Sequence, residues 1–377
     1  MTLPAFFSLA SLAAIAAIWF GYPLLVWAAA RLMPAKPGVG KLSNNRTVSV
    51  VLATRDHAEI IRARIANLLA TEHPAQNIQI VVALDAEGAH CTVQELDGID
   101  PRVVAVVGDA PGGKASALNA GVRSATGEIL VLADAQQRFD SRTIPELVAA
   151  LSDERFGAVS GALELGSSGR RSPVDLYWSM EKWLRHNEAR LHSSVGVTGA
   201  VYATRRALWP VVPAGTLLDD VYVPMSLVLK GHRVGFTYAA RAFDVRVFDS
   251  ANEGVRKTRT LTGVLQLREL LPGLLSIRRN PIYLQFVAHK LLRLLTPVFA
   301  VIFGLSLLWL SAEWLLRATL TERLAVVGAV LAVLIVPGTR RRILALARWM
   351  VSLQVATTRA VLNGLTGRWS VWSKTRT

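Results

Sequence analysis

The stretch Ile78-Gln-Ile-Val-Val-Ala-Leu84, the helical segment Lys114–Ser124 and the apolar run Ile129-Leu-Val-Leu-Ala133 together decide the fold. Both apolar runs are short and uncharged, which is typical of strands buried on both faces of a parallel sheet. Similar runs lie at Val48–Ala53 and Val103–Val107. Strands that alternate with helices in this way predict an α/β fold, whose ligands bind at the carboxyl ends of the strands.

The same alternation continues through the middle of the chain and changes character near residue 165. Apolar residues at helical spacing predict helices at Glu59–Ala70 and Pro145–Leu151, and another apolar run predicts a strand at Phe156–Ala162. The following half is a candidate for binding a second substrate. Its predicted elements are a helix at Pro173–Leu191, a strand at Val195–Thr204, a helix at Leu218–Lys230 and a strand at Val234–Ala239.

Both ends of the chain carry apolar segments of a length that suits a membrane. The 377 residues are 52% hydrophobic and only 18% charged, against about 25% charged in soluble domains. Residues 1–30 carry no charge, so we expect a transmembrane helix at 1–32. A cleaved signal peptide is the alternative, but its basic n-region is missing. Two more helices are expected within 291–339, and the second, Leu324–Thr339, is only marginally long enough.

The net charge of +15 is spread unevenly along the chain. Cations follow the first and third apolar segments, which by the positive-inside rule places the region between them in the cytoplasm, at the inner membrane. The segment 251–290 is basic and amphipathic, and the basic tail 340–377 contains tryptophans but no acid. These patterns favour membrane lipid over nucleic acid as the binding partner. Arg348 and Arg359 favour a helix over 343–365 that lies on the membrane rather than crossing it.

Other features limit the possible chemistry. Residues 33–46 are rich in Pro, Gly, Ser and Asn, which predicts a linker. The single cysteine, Cys91, excludes an internal disulfide and a cysteine metal cluster. His186, His192 and His232 lack the spacing of metal ligands and are expected to be surface or packing residues.

Acidic residues stand where an α/β fold would hold a ligand. Asp85 and Asp134 each end an apolar strand, a place suited to a metal that bridges a diphosphate. Each could instead cap a following helix. Asp219 and Asp220 begin a predicted helix, where one acid could take a proton from a substrate. Capping of that helix is again the alternative.

A phosphate-binding loop is suggested by Gly108-Asp-Ala-Pro-Gly-Gly113-Lys114, which fits the spacing G-x-x-x-x-G-K after a strand. In that motif a Ser or Thr that binds the metal follows the lysine, but here Ala115 stands there and Ser116 comes one place late. The sequence therefore argues against a nucleoside triphosphatase. Lys114 remains a candidate for phosphate contact, since it begins a predicted helix.

The order of these motifs resembles the membrane-bound family 2 glycosyltransferases, which include synthases of the cellulose, hyaluronan and poly-N-acetylglucosamine type. The resemblance covers about residues 47–248. The segments that carry it are Val48–Asp56, Val81–Asp85, Gly113-Lys-Ala-Ser-Ala-Leu-Asn-Ala-Gly121, Gly127–Gln136, Thr198-Gly-Ala200, Asp219-Asp220 and the basic Arg256–Thr260.

The resemblance implies a GT-A fold at 47–250, with a mixed, mostly parallel sheet, between transmembrane helices at both ends of the chain. It implies an inverting hexosyltransferase that uses a nucleotide-sugar donor, expected to be a UDP-sugar, and a divalent metal, Mg²⁺ or Mn²⁺. The acceptor would be a glycan or a lipid-linked saccharide, in exopolysaccharide or cell-envelope glycan synthesis. The implied residues are Thr54, Arg55, Asp56, Asp85 and Lys114 for the nucleotide, Asp134 for nucleotide and metal, Asp220 with Asp219 for catalysis, Thr198, Gly199 and Ala200 for the donor sugar and acceptor, and Arg256 and Arg259 for the diphosphate and gating.

Two motifs depart from the family pattern. The D-x-D motif reads Asp134-Ala-Gln136, so an amide replaces the second acid. The Q-x-x-R-W motif of processive enzymes is absent as written, and Arg256 and Arg259 keep only its basic character. Processive synthesis is therefore not predicted. A catalytically silent assembly subunit stays open as the alternative, and three predicted spans favour a partner subunit for any export.

Overall fold

The computed structural model describes residues 2–33, 45–166, 173–244, 250–335 and 337–369. Most of the predicted linker 33–46 and the end of the predicted tail lie outside these ranges. The chain divides into two compact units. The sheet unit contains Val26–Val247 and Gly263–Phe286, and the helical unit contains Met1–Leu25, Phe248–Thr262 and Val287–Thr377.

The sheet unit is built on one mixed sheet of eight strands in the order β3-β2-β1-β4-β7-β6-β8-β5. Strands β1 to β4 pair with one another in parallel, β6 is parallel to β8, and the pairs β4–β7, β6–β7 and β5–β8 are antiparallel. This confirms the predicted mixed, mostly parallel sheet. The strands are β1 (Val48–Thr54), β2 (Ile78–Leu84), β3 (Val103–Val107), β4 (Ile129–Ala133), β5 (Gln137–Phe139), β6 (Phe156–Leu165), β7 (Val201–Arg205) and β8 (Arg233–Asp244).

Some of the helices pack on the sheet, and the others belong to the helical unit. Most predicted helices are present with small shifts at their ends. The described α-helices are α1 (Leu3–Ala16), α2 (Tyr22–Leu32), α3 (Ala58–Leu69), α4 (Lys114–Ser124), α5 (Thr143–Ala150), α6 (Pro173–Leu191), α7 (Asp219–Leu229), α8 (Ser250–Leu270), α9 (Tyr283–Phe286), α10 (Thr296–Arg317), α11 (Leu320–Ile335) and α12 (Pro337–Leu365).

The core forms because β1, β2 and β4 are apolar on both faces. Helix α3 buries Ile61, Ile65 and Leu68 in the same core, at the i, i+4, i+7 spacing of one helix face. Helix α4 approaches the sheet closely at Gly121, where an added Cβ would lie 2.7 Å from Cγ1 of Val51. The parallel register sets the ends of β1, β2 and β4 at one edge of the sheet, and this edge carries the candidate site.

The predicted strand Val195–Thr204 is wrong in its first half, because β7 begins only at Val201. The preceding residues form a turn in which Gly196 adopts a φ of +93°. The main-chain N–H of Val197 donates to the carbonyl oxygen of Asp220 at 2.9 Å instead of to a neighbouring strand. Small and β-branched residues in this stretch suit either a strand or a turn, and the contact with α7 favours the turn.

The helical unit contains most of the apolar helix length. Two continuous helical segments, Leu3–Leu32 and Tyr283–Arg317, are long and apolar enough to cross a membrane among the residues described. Within this unit, Nε1 of Trp19 donates to Oγ1 of Thr296 at 3.2 Å. The third predicted span, Leu324–Thr339, coincides with the end of α11 and the start of α12. It stays a prediction.

Candidate functional site

A partly buried lysine, Lys114, lies close to two of the acids identified in the sequence. Lys114 begins α4, and its Nζ lies 3.0 Å from Oδ1 of Asp134 and 3.5 Å from Oδ2 of Asp219. Burial disfavours the ammonium form, but the carboxylates of Asp134, Asp219 and Asp220 outweigh burial and raise the pKa of Lys114. The site therefore contains a permanent cation that bridges acids from two parts of the chain.

Asp134 and Asp219-Asp220 do not cap helices. Asp134 is followed by the strand β5 and not by a helix, and the next helix begins only at Thr143. At α7, the N-cap position belongs to Leu218, and the two acids occupy the first helical turn. A helix N-terminus favours negative charge, so the carboxylates of Asp219 and Asp220 are stabilised there.

The predicted turn Thr198-Gly-Ala200 lies against Asp220. An added Cβ on Gly199 would lie 3.2 Å from Cβ of Asp220, so a larger residue here would require Asp220 to shift by a few tenths of an ångström. Oγ1 of Thr198 accepts a hydrogen bond from Nη1 of Arg185 at 3.2 Å, and its N–H donates to Oγ of Ser160 at 2.9 Å. The turn is thus fixed from both sides next to Asp220.

Asp56 and Gln136 connect the first loop to the D-x-D segment. Oγ1 of Thr54 donates to Oδ2 of Asp56 at 2.8 Å, and Nε2 of Gln136 donates to Oδ1 of Asp56 at 2.8 Å. The amide that replaces the second acid of the motif therefore has a role that a carboxylate could not fill, because a carboxylate would repel Asp56.

Asp85 lies almost fully buried at the end of β2. Its carboxylate accepts hydrogen bonds from Nε of Arg55 at 2.6 Å, from the N–H of Gly113 at 2.8 Å and from the N–H of Glu87 at 3.0 Å. Burial alone would raise the pKa of Asp85, but the donors on Glu87, Arg55 and Gly113 lower it overall. Gly112 and Gly113 reach this arrangement with φ values of +85° and +91°. Arg55 remains 43% exposed at the side chain.

Sequence reasoning missed three residues at this edge of the sheet. The hydroxyl of Tyr202 is buried and has no hydrogen-bond partner among the described residues. Burial, together with the charges of Asp219, Asp220 and Asp134, raises the pKa of Tyr202 well above its usual value. Arg64 and Asn67 of α3 contact the segment after β4. A signal for Arg64 was present, since it interrupts the apolar face of α3.

The carboxylates of the site suit a metal ion that keeps water and phosphate groups among its ligands. No group of three or more His, Cys, Asp or Glu side chains capable of holding a metal occurs in the described parts of the chain. Asp134 is the acid of the predicted motif, and its Oδ1 contacts Lys114. Mg²⁺ and Mn²⁺ commonly bind through one or two carboxylates together with substrate phosphates. These residues therefore fit an ion whose remaining ligands would come from water and from the phosphates of a bound substrate.

Arg256 and Arg259 belong to the helical unit. Both lie on α8, which runs from Ser250 to Leu270. They are three positions apart, so they share one helix face. Their predicted role at the diphosphate remains a prediction.

The sheet has parallel strands that are followed by acidic residues, and it continues into an antiparallel part. This arrangement is typical of the GT-A fold of glycosyltransferases. Residues 49–209 match the model of glycosyl transferase family 2. Residues 49–209 are therefore a family 2 glycosyltransferase domain, and the sheet is that of a GT-A fold.

A solved mannosyltransferase shows the same fold. The mannosyltransferase PcManGT from Pyrobaculum calidifontis, in complex with GDP-Man and Mn²⁺, aligns with a TM-score of 0.70 at 20% identity, over 96% of this chain and 99% of that one. GalNAc-T7 with UDP, GalNAc and Mn²⁺ aligns with a TM-score of 0.41 at 14% identity, over 59% of this chain and 48% of that one. A search of curated proteins gave no match.

Proposed function

We propose that this enzyme transfers a hexose from a nucleotide-diphosphate donor to a hydroxyl acceptor with inversion at the anomeric carbon. The observation that supports it most is the arrangement of Lys114 between Asp134 and Asp219, with Asp220 beside the Thr198–Ala200 turn. This provides a cation for a leaving diphosphate and a carboxylate for the acceptor within one site.

Asp220 would act as general base. Its carboxylate takes the proton of the acceptor hydroxyl while the acceptor oxygen attacks the anomeric carbon. The bond from that carbon to the diphosphate oxygen breaks, and its electron pair leaves with the nucleoside diphosphate. Attack opposite to the leaving group inverts the configuration. Asp219 would hold Lys114 in place, and the Thr198–Ala200 turn would position the sugar and acceptor.

The diphosphate would bind at Lys114, with Asp134 able to hold a divalent ion. When bound, such an ion would offset negative charge on the departing phosphate. Lys114 supplies a fixed charge for the same purpose, because its surroundings keep it protonated. Arg256 and Arg259 would add positive charge during donor binding or gating.

The nucleoside would bind at Thr54, Arg55, Asp56 and Asp85, with a UDP-sugar as the expected donor. A GDP-sugar is the second candidate, since PcManGT was solved with GDP-Man. Arg55 also favours it, because an arginine can pair with both O6 and N7 of guanine. Asp85, with three hydrogen bonds from the protein, would mainly hold Arg55 in place.

The acceptor would be a glycan or a lipid-linked saccharide at the cytoplasmic face of the inner membrane. Two helices of membrane-spanning length and a basic C-terminal region support this placement. Synthesis of an exopolysaccharide or cell-envelope glycan, with a partner subunit for export, would follow from it.

A nucleotide-release assay on detergent-purified protein tests the proposal. Donors would be UDP-glucose, UDP-galactose, UDP-N-acetylglucosamine, UDP-glucuronate and GDP-mannose, each with Mg²⁺, Mn²⁺ or EDTA. We expect release from one donor and a loss of about 10²–10⁴-fold in Asp220→Asn. Asp109→Asn, a surface acid paired with Arg123, is the matched control. Wild-type turnover in Asp220→Asn would remove Asp220 from the mechanism.

A further inference from the structure

Arg64 is a cation in the core of the sheet unit. It lies on α3 among Ile61, Ile65 and Leu68, and only 2% of its surface is exposed. Burying a guanidinium costs free energy unless its charge and donors are matched. Burial lowers the pKa of Arg64 to about 9, with the negative charge of Asp134 acting in the opposite direction. The side chain therefore remains a cation at neutral pH.

Its contacts converge on the residues that follow β4. Nε of Arg64 donates to the main-chain oxygen of Asp134 at 3.1 Å. The guanidinium carbon lies 4.2 Å from the centre of the Phe139 ring, close enough for a cation–π contact. Nη1 donates to Oδ1 of Asn67. One side chain thus contacts the beginning of the segment Asp134–Phe139, its last residue and a neighbour on its own helix.

Asn67 holds the far end of the same segment. Its Oδ1 accepts the N–H of Phe139 at 2.8 Å, and its Nδ2 donates to the carbonyl oxygen of Phe139 at 3.0 Å. Arg64 and Asn67 are three residues apart, so they lie on one face of α3. Between the two anchors, Gln136 is bound to Asp56. The segment is fixed at its start, middle and end.

Packing alone does not explain a cation at this position. Nη2 of Arg64 is buried and has no hydrogen-bond partner among the described residues. An apolar residue would fill the space without leaving a buried donor unsatisfied. What the guanidinium adds is a positive charge near Asp134, whose carboxylate also contacts Lys114.

We propose that Arg64 is a positioning residue that, with Asn67, holds the segment Asp134–Phe139 in the conformation that binds the donor diphosphate and its divalent ion. The proposal rests on the proposed function for its ligand. Arg64 need not touch the donor itself. Its effect passes through the main chain of Asp134, whose side chain would meet the ion.

Two measurements on full-length protein in detergent test this. The first is amide hydrogen exchange without ligand, in wild type and Arg64→Gln. We expect faster exchange over residues 135–139 in the variant, while β1 and β2 keep their protection. The second is calorimetric binding of UDP and GDP, each with Mn²⁺ and with EDTA. For each nucleotide we compare the dissociation constant in EDTA divided by the dissociation constant with Mn²⁺. This ratio reports the gain in affinity that the ion provides.

In Arg64→Gln we expect this ratio to fall by about 10–100-fold, the usual range for residues that orient a metal ligand. Binding in EDTA should stay at the wild-type value, because Arg55 and Asp85 are untouched. Arg64→Lys, which keeps the charge, should restore part of the ratio. Asn67→Ala should lower it while leaving the charge in place. Arg62→Gln, an exposed position on the same helix, is the matched control.

The outcomes separate three cases. A folded Arg64→Gln with wild-type exchange over 135–139 and an unchanged ratio would overturn the proposal. Equal weakening of binding with and without Mn²⁺ would also overturn it, since that indicates a general structural loss. Wild-type protein that binds neither nucleotide would overturn the proposed function, whereas the exchange measurement would still report on whether Arg64 fixes the segment.

Discussion

Replacing Lys114 by methionine removes the cation between Asp134 and Asp219 while keeping a side chain of similar length. At an effective dielectric constant of ~20, the contacts at 3.0 Å and 3.5 Å correspond to roughly 5 kcal/mol each before desolvation. Burial of the ammonium offsets most of this, and 30% of the lysine side chain remains exposed. We therefore expect folding stability to change by only about 1 kcal/mol.

The effect on catalysis should be much larger than the effect on stability. Without Lys114, a diphosphate would enter a site that keeps the carboxylates of Asp134, Asp219 and Asp220 but has lost a cation. Loss of a fixed charge that stabilises a leaving group costs about 10²–10³-fold in rate, or about 3–4 kcal/mol. Binding of Mn²⁺ without donor should become tighter, because Oδ1 of Asp134 no longer contacts an ammonium.

The assay combines steady-state nucleotide release, calorimetric Mn²⁺ binding and thermal unfolding for Lys114→Met. Arg123→Met is the control, since Arg123 lies on the same helix and forms an exposed pair with Asp109. Wild-type kcat/KM in a folded Lys114→Met protein would refute the reasoning. So would unchanged Mn²⁺ affinity, because it would mean that Lys114 does not compete for Asp134.

Three further changes test other parts of the site. Gln136→Asp should weaken nucleotide binding in EDTA, because two carboxylates that repel each other would replace the 2.8 Å hydrogen bond between Gln136 and Asp56. Nucleotide binding should recover at high Mn²⁺, and calorimetry with and without the metal measures both effects. Gly121→Ala should lower unfolding stability by about 1–3 kcal/mol, seen in denaturant titration, because its Cβ would overlap Val51. Asp85 has a depressed pKa in the folded state, so its stabilisation is present above its ordinary pKa and lost as pH falls through the folded value. Thermal unfolding from pH 7 to 2 should therefore show a smaller acid-induced loss in Asp85→Asn than in wild type.

The parallel half of the fold could be predicted because each strand there is buried on both faces. A continuous apolar run such as Ile129–Ala133 has few alternatives in a chain with helices on either side. The acids at the strand ends followed from the same pattern, since Asp85 and Asp134 interrupt it abruptly. The antiparallel half gave weaker signals, and the start of β7 was misplaced because the turn before it depends on a contact with Asp220.

Partnerships across the site could not be predicted from the sequence. Nothing local indicates that Lys114 lies between two acids, one of them more than a hundred residues away. The sequence Asp134-Ala-Gln136 likewise does not indicate that the amide nitrogen of Gln136 donates to Asp56. Tyr202 looked like one more strand residue, because alternation shows only that a side chain is buried and not which charges surround it.

The hydrogen bonds of Asp85 bear on how donor preference could change during evolution. One carboxylate joins Arg55, on the loop that would meet the base, to Gly113, the residue before Lys114. A substitution at Asp85 that suited another base would also release the start of α4 and disturb the diphosphate cation. Arg55 can vary without that cost. A lineage that changes nucleotide would therefore be expected to change Arg55 first and to retain Asp85.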